Sequence, residues 1–217
     1  MIPLAERMRP KKLANYVGQS HLVGEGAVLR KAIESGRLPS FILWGPPGVG
    51  KTTLVKFLGK SLGLDVSRIQ FTNDLLPADI IGSPIFNKDT QTFNFHQGPI
   101  FGELILADEL NRAPPKTQSA LLQVMEERVI TVDGTNYQLP EFFTVLATQN
   151  PQMQVGTFDL PESQLDRFSM KLEMGYPDKE STLELLKIQN REPQINDVEK
   201  IIGASELVVA QREASQV

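Results

Sequence analysis

Eight consecutive residues constrain this chain more than any others: Gly45-Pro46-Pro47-Gly48-Val49-Gly50-Lys51-Thr52. They fit the pattern G-x-x-x-x-G-K-[ST], a loop that wraps a phosphate. Glycines let the backbone approach closely enough for its N–H groups to face phosphate oxygens. The lysine then reaches the β- and γ-phosphates, and the threonine hydroxyl meets Mg²⁺. The flanks suit the motif. Phe41-Ile42-Leu43-Trp44 reads as a buried strand, with Trp44 as core at its end. Thr52 to Leu62 reads as a helix with Leu54, Val55, Leu58 and Leu62 on one face. That helix adds the positive end of its dipole to the cradle. The predicted cradle is Gly45, Pro46, Pro47, Gly48, Val49, Gly50, Lys51, Thr52 and Thr53.

A second stretch supplies the missing carboxylates. Glu103-Leu104-Ile105-Leu106-Ala107-Asp108-Glu109 is an apolar strand that ends in two acids. In open α/β sheets ligands bind at the C-terminal ends of strands. Asp108 is placed to hold Mg²⁺ through water. Glu109 points differently and is placed to accept a proton from an attacking water. Phe142 to Thr148 is another buried-type strand, followed by Gln149-Asn150-Pro151. An isolated Asn in a turn has no special meaning. At the tip of a core strand, Asn150 can orient that water or touch the γ-phosphate. Leu160 to Phe168 reads as a short helix ending in Arg167, and Ser169 to Met174 as the last strand.

Between these lie two insertions. Residues 83–96 read as a β-hairpin around Asn87-Lys88-Asp89, with His96 at its end as a surface or core residue. Residues 129–139 read as a second hairpin around Asp133-Gly134, the strongest short-range signal of its kind. Ser67 to Phe71 is a further strand, Asp74 to Gly82 a short helical or irregular piece, and Ala27 to Ile33 a short helix. Pro114-Pro115 opens a helix that runs to about Glu127. The basic N-terminal residues Arg7, Arg9, Lys11 and Lys12 read as a solvated arm. After them, Val17 and Gly18 can form one apolar wall for an adenine ring.

Composition excludes several classes. With 217 residues the chain supports one good core and a small appendage. It has no cysteine, hence no disulfide framework and no thiolate metal site. No run approaches the ~18 apolar residues of a membrane span, and the N-terminus lacks a signal-peptide core. A cytoplasmic location is the default expectation. The net charge of −4 argues against strong sequence-independent nucleic-acid binding.

Taken together, the phosphate loop, the acid-tipped strand, the strand-tip Asn150 and Arg167 resemble an AAA+ ATPase. Residues 61–178 are similar to the MoxR family in wording as well as motif. The similarity is carried by Ser67-Arg68-Ile69-Gln70-Phe71-Thr72, Gly98-Pro99-Ile100-Phe101, Leu106 to Ala113, Lys116 to Leu122, Ala147 to Pro151 and Gln164 to Phe168. Upstream, Pro3 to Pro10, Val17 to Leu22 and Ser35 to Ser40 resemble the RarA family of clamp-loader relatives instead. The two resemblances meet in the phosphate loop, as in a hybrid of a RarA-like entry segment and a MoxR-like core, or in a divergent natural MoxR protein whose N-terminus converged.

The resemblance implies an α/β fold: a P-loop NTPase AAA+ core with a five-stranded parallel sheet flanked by helices, the two hairpins as insertions, and a truncated helical lid. It implies a nucleotide-binding domain over 1–174 and the start of the lid over 175–217. It implies ATP and Mg²⁺ as cofactors, with Lys51, Glu109, Asn150 and Arg167 catalytic, and Thr52 and Asp108 serving the metal. Arg167 becomes an arginine finger acting on a neighbouring subunit, so a homo-oligomeric ring is implied, a hexamer if MoxR-like. The implied function is ATP hydrolysis coupled to chaperone-like remodelling or maturation of a protein client, such as a von Willebrand A-domain protein. The alternatives are a RarA-like ATPase acting on DNA, and a nucleotide-binding module with little turnover, because no sensor 2 motif is present and the lid is short.

Overall fold

Two segments carry apolar or small residues at nearly every position, Leu104–Asp108 and Thr144–Gln149, and all their residues are buried. Such runs suit strands of a parallel sheet covered on both faces. The computed structural model describes residues 19–35, 38–151, 156–187 and 206–209. Its strands are β1 (Phe41–Trp44), β2 (Val66–Gln70), β3 (Gly82–Asn87), β4 (Thr92–Gln97), β5 (Leu104–Asp108), β6 (Val129–Val132), β7 (Thr135–Gln138), β8 (Thr144–Gln149) and β9 (Met170–Glu173). The helices are α1 (Ser20–Val23), α2 (Val28–Glu34), α3 (Lys51–Ser61), α4 (Pro77–Ile81), α5 (Pro115–Glu127), α6 (Glu162–Leu165) and α7 (Lys179–Lys187). Single 3₁₀ turns cover Pro99–Phe101 and Leu110–Arg112.

Five strands form one sheet in the order β2-β5-β8-β1-β9, as the α/β expectation requires. The pairs β2–β5 and β5–β8 are parallel, with Gln70 opposite Asp108 and Ala107 opposite Ala147. The remaining four strands make the two expected hairpins, β3–β4 and β6–β7. In the second, Asp133 and Gly134 both have positive φ, 49° and 77°, as a two-residue turn between right-twisted strands demands.

The chain forms two compact units. Among the described residues, the first includes Leu43–Asp65 with those up to Pro39 and from Leu172 onward, and the second is Ser40–Ile42 with those of Val66–Lys171. Within the first, α3 buries Leu54, Val55, Phe57 and Leu58. Within the second, Ile69, Phe71, Ile105, Leu121, Phe143 and Val145 belong to one apolar core. There Phe95 of β4 packs on Tyr137 of β7, with ring centroids 4.4 Å apart, and so joins the two hairpins.

The structure departs from the sequence reading at one functional element. The helix expected to end in Arg167 stops at Leu165. Beyond it Arg167 N–H donates to Gln164 O and Phe168 N–H to Leu165 O, so the chain tightens into three-residue turns. Ser169 N–H then donates to Ser40 O as the path turns into β9. Arg167 therefore sits on a turn, not on a helix. Val17 and Gly18 lie outside the described residues, as do most of residues 188–217 of the expected lid.

Candidate active site

The phosphate loop lies wholly in the first unit. β1 ends at Trp44 and α3 begins at Lys51, so six residues make the connection. Gly48 and Gly50 have φ of 84° and 92°, a region that costs an L side chain roughly 1–2 kcal/mol. Gly45 is constrained differently. A Cβ there would lie 2.1 Å from the carbonyl oxygen of Met174, whose own N–H donates to Trp44 O at 2.7 Å. The loop thus starts pressed against the chain that leaves β9. On that same stretch Gln19 donates to Gly175 O at 2.6 Å, and His21 Nε2 lies 3.0 Å from Glu173 O.

Lys51 is 7% exposed, and its ammonium donates to the carbonyls of Gly45 and, at 3.0 Å, Pro46. A buried ammonium beside a glycine-rich loop is able to make charge-assisted bonds to a phosphate. Gly48 has open space where a Cβ would stand. Thr52 and Thr53 are half-buried in the first turn of α3. This donor set fits a polyphosphate.

The carboxylates lie in the second unit, at the end of β5. Asp108 is buried, and both its oxygens have partners. Oδ1 accepts from the Thr148 hydroxyl at 2.7 Å. Oδ2 accepts from Arg68 Nε at 3.0 Å and Nη2 at 2.6 Å. The register explains this arrangement: Gln70 pairs with Asp108, so Arg68, two residues earlier on β2, shares the same face. Glu109 leaves the strand with φ 57° and ψ 45°, left-handed for a residue with a Cβ. Its N–H is anchored by Thr148 Oγ1 at 2.8 Å. From that backbone turn the Glu109 carboxylate meets three partners. Asn150 Nδ2 donates to Oε1 at 3.1 Å; Gln70 Nε2 and Arg112 Nη1 donate to Oε2 at 3.2 and 2.8 Å.

Asp108, Glu109 and Asn150, singled out from the sequence, therefore meet in one network. Among the described residues no cluster of three His, Cys, Asp or Glu side chains could hold a metal alone. A divalent ion here would take most of its oxygens from phosphate and water, as Mg²⁺ does. Arg167 lies elsewhere in the unit. Its Nη1 donates to Leu122 O at 3.1 Å and to the Glu126 carboxylate of α5, while Nε is buried without a partner. His96 is exposed on β4.

Sequence reasoning missed the roles of Arg68, Gln70, Arg112 and Thr148. Only one signal was available. Polar residues alternate on β2 at Arg68 and Gln70, and a polar face on an otherwise buried sheet needs partners. Nothing local marked Thr148, whose hydroxyl bridges two residues some forty positions upstream.

A sheet whose strand β1 runs through a glycine loop into α3, and whose strand β5 ends in paired carboxylates, defines a P-loop nucleotide-binding fold. Residues 40–170 match the family described as ATPase family associated with various cellular activities (AAA), and the chain belongs to that family. It is 44% identical over 170 residues to chaperone MoxR1 of Mycobacterium tuberculosis, covering 78% of this chain and 44% of that protein. It is 51% identical over 171 residues to the uncharacterized protein YeaC of Bacillus subtilis, covering 79% of this chain and 53% of that one. The chain thus spans about half the length of these curated relatives. A weaker similarity, 36% over 140 residues, links it to replication-associated recombination protein A of Escherichia coli, with 64% of this chain and 30% of that protein covered. A solved structure of a candidate ATPase from Cytophaga hutchinsonii superposes with a TM-score of 0.76 at 44% identity, over 93% of this chain and 59% of that one. The similarity to MoxR1 is the stronger of the two and that to the replication-associated protein the weaker. Among the described residues no helix is long and apolar enough to cross a membrane.

Proposed function

We propose that this chain binds and hydrolyses ATP as the nucleotide module of a MoxR-like machine that remodels or matures protein partners. The observation that carries it is the network around Asp108 and Glu109. Two adjacent carboxylates are split by a left-handed backbone turn, one toward a hydroxyl and a guanidinium, the other toward Asn150. That separation suits two roles, a metal-serving carboxylate and a base for water. Lys51 and the loop amides would hold the phosphates, Thr52 and Asp108 would serve Mg²⁺, and Val17 and Gly18 would flank adenine. Bound Mg²⁺ would neutralise charge on the transferring phosphoryl group. Asn150 would orient the attacking water, and Glu109 would take its proton.

Arg167 would act as the finger for a neighbouring subunit's nucleotide, exchanging its Glu126 partner for phosphate. A homo-oligomeric ring follows from that role, a hexamer if MoxR-like. Residues 1–174 would form the nucleotide-binding domain and 175–217 the start of a helical lid. The client would be a protein, with a von Willebrand A-domain protein the first to try, in the cytoplasm where ATP is supplied. The 36% identity to a replication-associated protein supports one second reading, a DNA-associated ATPase.

The test is ATP turnover, with molar mass by light scattering in the presence and absence of ATP. The wild type is expected to hydrolyse ATP and to grow in mass when ATP is added. Glu109→Gln should bind ATP unchanged and lose turnover by roughly 10²–10⁴. Binding without turnover in the wild type would reduce the chain to a nucleotide-binding module. Turnover stimulated by DNA would favour the second reading.

A further inference from the structure

The Asp108 carboxylate is the acidic group that the proposed function gives to Mg²⁺, yet its Oδ2 already receives two N–H donors from Arg68. We infer that Arg68 is a resident counter-cation, which Mg²⁺ must displace from Asp108, and that it sets the metal concentration at which nucleotide binds. The inference rests on the metal-serving reading of Asp108.

The asymmetry of the pair supports an exchange. The Asp108 side chain is 8% exposed and that of Arg68 is 47% exposed. A carboxylate that deep is costly without a positive partner. Arg68 supplies one from β2, the next strand in the sheet, through a fork that reaches a single oxygen. The other oxygen is held by Thr148. Mg²⁺, or a water bound to it, needs a lone pair of that same carboxylate. The guanidinium fills Oδ2 with two donors and carries like charge, so it opposes a metal drawn to the same carboxylate.

Arg68 can also leave. It is half-exposed, so its charge can return to water, and its Nη2 already donates to the Gln70 side chain. Release thus costs little on the arginine side, and the metal compensates Asp108. Without Arg68 the metal-free state would lose one cation that competes with the metal at this carboxylate, and the metal would bind more tightly. Lysine at the same position would keep the charge without the fork, and should fall between the two.

The experiment titrates Mg²⁺ against a fixed level of a non-hydrolysable ATP analogue with a fluorescent ribose label. Bound fluorescence is read for the wild type, Arg68→Gln, Arg68→Lys and Asp108→Asn. Arg68→Gln should reach half-saturation at about tenfold less Mg²⁺ than the wild type, the size of one charge-assisted contact no longer broken. Arg68→Lys should show a smaller shift in the same direction. The melting temperature in the presence of the analogue should rise more on adding Mg²⁺ for Arg68→Gln than for the wild type. An unchanged or higher half-saturation in both Arg68 variants, with Asp108→Asn weakened, overturns the counter-cation and leaves the metal role of Asp108 standing. An unchanged Mg²⁺ dependence in Asp108→Asn overturns that role itself. If Arg68→Gln does not fold, Arg68→Lys alone decides, by the sign of its shift.

Discussion

The phosphate loop and the carboxylate network are built in opposite ways. The loop is eight contiguous residues whose work is done by backbone: two positive-φ glycines, one glycine against a carbonyl, and a lysine held by the loop's own oxygens. The network is built from side chains on three strands and a turn, with Arg68, Gln70, Asp108, Glu109, Arg112, Thr148 and Asn150 spread over more than eighty positions. Contiguity makes the loop a motif. Dispersion makes the network depend on strand register. The first should fail through backbone geometry, and the second through loss of a partner.

The largest effect should come from Gly45. A methyl group 2.1 Å from the Met174 carbonyl cannot be accommodated without moving backbone on both sides. Gly45→Ala is expected to lose about 3 kcal/mol or more of stability in urea unfolding. Gly48→Ala meets no neighbour, and should lose only about 1–2 kcal/mol of backbone strain. If the two cost the same, the close approach to Met174 is not what fixes the loop.

Next is Lys51→Ala. Losing a charge-assisted contact should weaken nucleotide binding by about 1.5–3 kcal/mol, a factor of roughly ten to a hundred or more, in calorimetry. Unchanged affinity would mean that the amides alone hold the phosphates. In the network, Thr148→Val keeps the shape but removes both the bond to Asp108 and the anchor on Glu109 N–H. A loss of about 1–3 kcal/mol is expected from stranding those groups in the interior. A turnover rate that stayed at the wild-type value would show that the left-handed turn at Glu109 holds without its anchor.

The smallest effect lies outside both regions. Asp178 Oδ1 accepts from Ser181 N–H at 2.7 Å at the start of α7, and this bond lowers its pKa below the ordinary carboxylate value of 3.8. A depressed pKa stabilises the fold above the unfolded-state value, and that stability is lost as pH falls through the folded-state value. Asp178→Ala should therefore melt slightly lower than the wild type at pH 7, and the gap should close below pH 3.8. A gap that persisted in acid would assign the effect to helix propensity instead of the carboxylate.

How far the sequence reached follows the same contrast. The strands Phe41–Trp44 and Leu104–Asp108, the two hairpins and the glycine loop were legible, because each is encoded by neighbours: apolar runs, an Asp-Gly turn, a fixed glycine spacing. Arg167 lies beyond a helix that ends at Leu165, and the three-residue turns that carry it leave no periodic trace in the sequence. Asp108, Glu109 and Asn150 each stand out in the sequence singly, as strand tips, and nothing there shows that they meet.

By itself, then, the amino-acid sequence determined the phosphate loop, the acid-tipped strand and the family, since local backbone chemistry and apolar spacing travel with the chain. Only the tertiary structure decided that Asp108 is shared by Thr148 and Arg68 and that Glu109 faces Asn150. Those contacts join residues about forty positions apart. They exist because the register of β2, β5 and β8 places them within hydrogen-bond reach, and a register between strands so far apart in the chain is set by how their buried faces pack together, not by any one stretch.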